Sequence, residues 1–173
     1  MAFNINDMRS GLALGGAKPS LFQVQISNPV TSLADLKAPF MIRAAALPAS
    51  TLTPIEVPYF GRKIKVAGDR TFDPWTITVI NDTGFEVRNA MERWMNGINN
   101  NNSNTGLSNP TDYQADAIVE QLNKAGEVTK KYDFRGLFPT NVSEIEVSYD
   151  SENTIEEFTV EFQVQYWESD TTS

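Results

Sequence analysis

Gly61-Arg-Lys-Ile-Lys-Val-Ala-Gly-Asp-Arg-Thr-Phe-Asp-Pro-Trp-Thr-Ile-Thr-Val-Ile-Asn-Asp82 decides the fold class of this chain. Ile64 and Val66 alternate with lysines, and Gly68-Asp69-Arg70 reads as a turn. In the run that follows, Trp75, Ile77 and Val79 share one face and Thr76 and Thr78 the other. A period of two marks strands with one buried face. The segment is therefore expected to form a hairpin of Arg62–Val66 with Trp75–Ile80, joined by the charged turn.

The same period recurs on both sides of it. Phe22, Val24 and Ile26 alternate with Gln23, Gln25 and Ser27, and Phe40 to Leu47 is a mostly apolar second strand closed by Pro48. Thr53–Tyr59 carries prolines at 54 and 58, which donate no ladder hydrogen bond, so it is an edge strand or a bent connection. Downstream, Ile118, Glu120 and Leu122 alternate with Val119 and Gln121, and Ala125-Gly126-Glu127 turns the chain into Thr129–Phe138. There Tyr132, Phe134 and Phe138 are expected on one face and Lys131, Asp133 and Arg135 on the other. A last hairpin sets Ile145, Val147 and Tyr149 against Glu144, Glu146 and Ser148. After Asp150-Ser-Glu-Asn153 it sets Phe158, Val160, Phe162, Val164 and Tyr166 against the intervening polar residues and Trp167.

One helix interrupts this pattern, over about 84–96. Thr83 and Glu86 form a Thr-x-x-Glu capping box, and Val87, Ala90, Met91, Trp94 and Ile98 make one apolar stripe, with Gly97 placed to end it. The Asn-rich run 99–110 has no face to bury and reads as a surface loop. Residues 1–17 read as an N-terminal arm, 18–168 as the β domain and 169–173 as a C-terminal tail. With eight or nine strands, one helix and no βαβ rhythm, the expected fold is mainly β: two packed antiparallel sheets, sandwich- or barrel-like, with one flanking α-helix.

Composition narrows function. The chain of 173 residues can bury roughly 70% of its unfolded surface as one domain. No apolar run approaches the ~20 residues of a membrane span, and the first residues lack the pattern of a secretory signal, so a soluble protein is expected, with no membrane partner. Cysteine and histidine are both absent. That removes disulfides, thiol nucleophiles, imidazole acid–base chemistry and Cys/His metal sites together, so no metal or other cofactor is expected. A net charge of −8 argues against stable nucleic-acid binding, which needs clustered Lys and Arg.

Local motifs have ordinary explanations. Gly11 to Lys18 has the glycines and lysine of a phosphate loop, but no strand precedes it and no Ser or Thr follows the lysine. The Asn run and Asp150–Asn153 lack the spacing of an EF-hand loop. Glu144 with Glu146, and Glu157 with Glu161, could serve acid–base chemistry, yet alternating acids on the wet face of a sheet explain them too. Trp75 and Trp94 lie on apolar stripes and are expected in the core, whereas strand alternation turns Trp167 outward, where a large aromatic often marks a protein contact, unless a twist at the strand end buries it.

The quoted segment resembles the signature of the tail tube proteins of contractile-tailed bacteriophages. Further similar motifs stand in family order: Lys18-Pro-Ser-Leu-Phe-Gln-Val24, Ala46-Leu-Pro48, Gly136-Leu-Phe-Pro-Thr-Asn-Val142, Tyr149-Asp-Ser151 and Tyr166-Trp-Glu168. The likeness covers nearly the whole chain from residue 18, while 1–17 and the Asn-rich loop depart from it. It implies a virion protein, assembled in the host cytoplasm, whose six-fold rings stack into a tube with one sheet of each copy lining the lumen. The implied partners are further copies of the chain, a sheath protein, baseplate and tail terminator proteins, a tape measure protein in the lumen, and DNA that passes without stable binding. On that basis Glu144, Glu146, Glu157 and Glu161 are candidates for the lumen, and Asp69, Arg70 and Trp167 for contacts between subunits or rings. A tube or baseplate adaptor protein of a bacteriocin or injection system, and a carboxylate-dependent glycan hydrolase, remain the alternatives.

Overall fold

A computed structural model describes residues 5–12, 15–30 and 38–172. The elements in chain order are α1 (Ile5–Gly11), β1 (Phe22–Ile26), α2 (Ala38–Met41), β2 (Ile42–Ala45), β3 (Ser50–Tyr59), β4 (Arg62–Phe72), β5 (Trp75–Ile80), α3 (Glu86–Ile98), α4 (Pro110–Tyr113), β6 (Ala115–Leu122), β7 (Val128–Val142), β8 (Glu157–Gln163) and β9 (Tyr166–Ser169). The expected mainly β, antiparallel architecture is present. Its two packed sheets share one long strand, β7: the first half of β7 lies between β6 and β9, with β1 beyond β6, and the second half pairs with β8, followed by β5 and β2. Every pairing is antiparallel.

The break in β7 is local and has a cause. Gly136 sits at φ 62°, a left-handed conformation that costs glycine nothing. The extra residue shifts the alternation, so that Phe134 is followed into the core by Leu137 and Pro139. Phe138, expected beside Phe134, therefore faces the other way and meets the Tyr113 ring edge-on at 5.7 Å.

The core lies between the two sheets. Trp75 of β5 stacks on Phe134 of β7 at 4.5 Å, and Phe158, Val160 and Phe162 of β8 face Val24, Ala117 and Val119 of the other sheet in one cluster. Helix α3 closes this cluster with Val87, Ala90, Met91 and Trp94, all buried as their spacing requires. Trp94 donates its indole N–H to the Tyr113 carbonyl at 2.7 Å, so the ring is buried without an orphaned donor.

The helix ends differ from expectation. Asp82, not Thr83, caps the start by accepting the Glu86 N–H at 3.1 Å, and Phe85 occupies the cap position at φ 54°. Gly97 lies inside the last turn, and the chain is held where it leaves by the Leu107 N–H donated back to the Gly97 carbonyl at 3.1 Å. Gly106 makes that approach possible, since a Cβ there would collide with the Ile98 carbonyl. The Asn-rich segment between them is exposed.

The largest departure concerns the quoted segment itself. Gly68-Asp69-Arg70 is not a turn but part of β4, which pairs with β3, while β5 pairs with β2 and β8. Between Leu52↔Arg70 and Pro54↔Ala67 the β3 strand has only Thr53, against Gly68 and Asp69 on β4, which is a β-bulge. A Cβ on Gly68 would run into the Thr53 carbonyl, so glycine is required there. The chain reverses instead at Phe60-Gly61 (φ 43° and 79°), a two-residue turn between Tyr59 and Arg62. The proline-bearing stretch is accordingly a full edge strand.

Two further segments are shorter than their alternation implies. Ala38–Met41 forms a helical turn, leaving Ile42–Ala45 as the second strand. Residues 143–156 form no strand, although Ile145, Val147 and Tyr149 alternate with acids.

Candidate assembly interface

Three surfaces stand out once the core is accounted for. The first is the outward face of the sheet made by β2, β5, β8 and the second half of β7. Thr76 lies opposite Glu161, Thr78 opposite Thr159 and Ile80 opposite Glu157, so the face is mainly polar, with Ile80, Ala44 opposite Thr78 and Phe138 opposite Gln163 as its apolar positions. Arg43, bulged out of β2, pairs with Glu157. Within the chain this sheet stops at β2 on one side, and residues 138–142 of β7 pair with β8 alone. Among the described residues neither edge pairs with a further strand, which favours continuation into another sheet.

The second surface is the β3–β4 hairpin. Every β3 residue is exposed, as are most of β4. Its register gives it two unlike faces: Ile55, Val57, Ile64 and Val66 lie on one, Glu56, Lys63 and Lys65 with Pro54 and Pro58 on the other. The four aliphatic residues are each 46–54% exposed, and Tyr59 and Phe60 at the tip 63% and 92%. A lone two-stranded ribbon is marginal in water, and an amphipathic one presents a face with nothing on it. Asp69 and Arg70 lie exposed on this hairpin, at its bulge.

The third surface is the arm at residues 143–156. It joins β7 to β8, and its Val147, Tyr149 and Ile155 are 78%, 105% and 70% exposed. Glu144 and Glu146 lie on this arm, exposed; Glu146 lines one cavity with Glu157 where the arm meets β8, while Glu161 lies further along the sheet face. Of the four acids, only Glu146 and Glu157 are brought to one cavity.

Trp167 takes the second of its two expected placements, turned in by a twist at the strand end rather than outward by alternation. The chain kinks at Val164-Gln165 between β8 and β9, which exchanges the faces: Tyr166 is 45% exposed, while the Trp167 ring packs edge-on against Phe72 at 6.1 Å and Tyr132 at 5.7 Å. Its N–H donates to the Ala49 carbonyl at 3.2 Å. Trp167 therefore fastens the root of the hairpin to the body. On the same sheet as Trp167, Arg135 pairs with Asp116 at 2.6 Å and Lys131 with Asp133 at 3.1 Å. The Asp116 hydrogen bond and charge hold the Arg135 guanidinium still more firmly protonated than usual.

The family's sequence model, described as "Phage tail tube protein", matches residues 17–170. The chain belongs to the phage tail tube protein family. It is 42% identical over 154 residues to the tail tube protein gp19 of Enterobacteria phage T4, covering 88% of this chain and 91% of that one. It is 31% identical over 160 residues to the tail tube protein of Serratia phage KSP90, covering 90% of each. Its fold matches a chain of the extended sheath–tube complex of an extracellular contractile injection system with a TM-score of 0.67 at 14% identity, over 97% of this chain and 98% of that one. This tail tube protein is a structural component of the virion and not an enzyme, which sets aside the hydrolase reading of its carboxylates.

Sequence reasoning missed the hairpin as a unit. A signal for it was present, because Pro54, Glu56 and Pro58 fall on one face and Ile55, Val57 and Tyr59 on the other. That is the pattern of an edge strand with one face reserved for a partner.

Proposed function

We propose that this tail tube protein closes into six-fold rings that stack into a hollow tube, with the β2-β5-β8-β7 sheet of each copy facing the lumen and genomic DNA passing through it. The observation that carries the reading is that sheet: mainly polar across its outward face and, among the described residues, open at both edges, it suits a continuous barrel around a water-filled channel. Glu157 and Glu161 then line the lumen. Six copies of a chain at −8 surround the duplex with like charge, which lets DNA pass without holding it.

Asp69 and Arg70, on the exposed hairpin, make contacts between subunits or rings, and Trp167 supports those contacts by fixing the hairpin root. A sheath protein, baseplate and terminator proteins, and a tape measure protein inside the lumen complete the partners, with assembly in the host cytoplasm. Velocity sedimentation with negative-stain microscopy, with and without preformed baseplates, tests the reading. Rings or hollow tubes are the expected result, and a chain that stays monomeric even on baseplates would overturn it.

A further inference from the structure

The hairpin and the arm stand at opposite ends of the same sheet. Strand β5 begins at Trp75, just after β4 ends at Phe72, and Trp75 donates its indole N–H to the Ala46 carbonyl near the hairpin root at 2.8 Å. It ends at Ile80, opposite Glu157, where the arm joins β8. Each copy therefore presents one uncovered amphipathic feature at one end and another at the far end. Two different surfaces at opposite ends make a head-to-tail contact, which propagates rather than closes.

Their chemistry is complementary. The hairpin carries Arg62, Lys63, Lys65 and Arg70 against Glu56 and Asp69, a basic island on an acidic chain. Residues 143–156 carry Glu144, Glu146, Asp150, Glu152 and Glu156 and no basic residue. Alternation also matches. In an extended conformation Val147 and Tyr149 would share one face, as Ile64 and Val66 do on β4, and Glu144 and Glu146 the other, as Lys63 and Lys65 do, while Ile145 anchors the segment against its own core. The arm has the pattern of a strand and, among the described residues, pairs with no strand.

We propose, on the stacked-tube reading above, that residues 144–149 of one copy add as a third strand along the free edge of β4 in the copy stacked on it. Addition continues the apolar face of the hairpin, satisfies the backbone of both segments, and sets glutamates beside lysines as cross-strand pairs. Glu144 and Glu146 thereby belong to the junction between rings rather than to the lumen wall.

Baseplate-seeded tube growth by the full chain tests this. The double variant Glu144→Lys/Glu146→Lys and the double variant Lys63→Glu/Lys65→Glu should each form rings while tube length falls at least tenfold, and the chain carrying all four changes should grow tubes again. Because the chain has no cysteine, Val147→Cys with Val66→Cys in one chain gives an independent measurement. Oxidation of assembled tubes should yield a ladder of linked chains that neither single variant yields, and this measurement decides if the four-residue variant folds poorly. Tubes of normal length from both charge-reversed chains, or no ladder from the paired cysteines, would overturn the strand addition and leave the tube reading standing. Failure of the unaltered chain to form even rings on baseplates would overturn both.

Discussion

The Trp167 indole donates its N–H to the Ala49 carbonyl at 3.2 Å, joining the last strand of the domain to the residue before the hairpin begins. Phe72, where the hairpin ends, packs on the same ring. One side chain thus fixes both roots of a ribbon that otherwise makes few contacts with the body, and the angle at which the hairpin meets a partner depends on it.

Trp167→Ala should therefore destabilise the monomer by about 2–3 kcal/mol, below the range for a fully buried tryptophan because the ring is only half-buried. Trp167→Phe keeps most of the packing and loses a hydrogen bond worth about 1 kcal/mol. Urea unfolding gives the magnitudes. Hydrogen exchange across residues 50–72 gives the mechanism, since protection there should fall in Trp167→Ala while β5 and β8 hold theirs.

Which features were legible in the sequence follows from how local their causes are. Trp75, Ile77 and Val79, like Phe158, Val160 and Phe162, bury the faces their alternation assigns, and the apolar stripe of α3 is buried as spaced. Burial of a repeated face is a local property of a strand or helix. Pairing is not: nothing within 61–82 reveals that β4 takes β3 as partner and β5 takes β8. The bulges at Gly136 and Gly68, and the kink before Tyr166, each exchange faces by inserting a residue whose effect depends on a distant neighbour. The arm misled for a different reason: its residues alternate as in a strand, yet none of the described strands pairs with it.

At the hairpin tip, Phe60 holds φ 43° in a turn where Asn or Gly is the usual occupant. A bulky residue in that conformation costs of order 1 kcal/mol, while its ring stays exposed. Phe60→Asn should relieve the strain and raise hydrogen-exchange protection of β3 and β4. The same change removes the exposed ring, and tube growth should slow. Growth at the unaltered rate would assign Phe60 no part in assembly.

Gly68→Ala separates assembly from folding. The added methyl meets the Thr53 carbonyl and the Ile55 side chain, so the bulge must open and the register beyond it shift. The hairpin contributes nothing to the central cluster, so the urea midpoint should move little. Tube formation should be lost. By contrast Phe162→Ala, at a fully buried ring near both Trp75 and Trp94, should cost about 3–5 kcal/mol and leave little folded protein to assemble.

Glu161 tests the lumen assignment directly. It lies opposite Thr76 on the polar sheet face, away from the hairpin and the arm, so reversing it to lysine leaves the head-to-tail elements intact. Its side chain is half-buried and the charged head can extend over Thr76, so Glu161→Lys should fold with a change under ~1 kcal/mol and form tubes of normal length. Each copy changes by two charge units, and a six-fold ring gains six ammonium groups turned toward the channel. Short duplex DNA should then be retained by open-ended tubes at low salt and released as salt rises, because bound counterions are exchanged for lysines. Unaltered tubes should retain none at either salt. Tubes of Glu161→Lys that bind a sheath or a resin through their outer wall, but never DNA through the lumen, would place this sheet face on the outside of the ring.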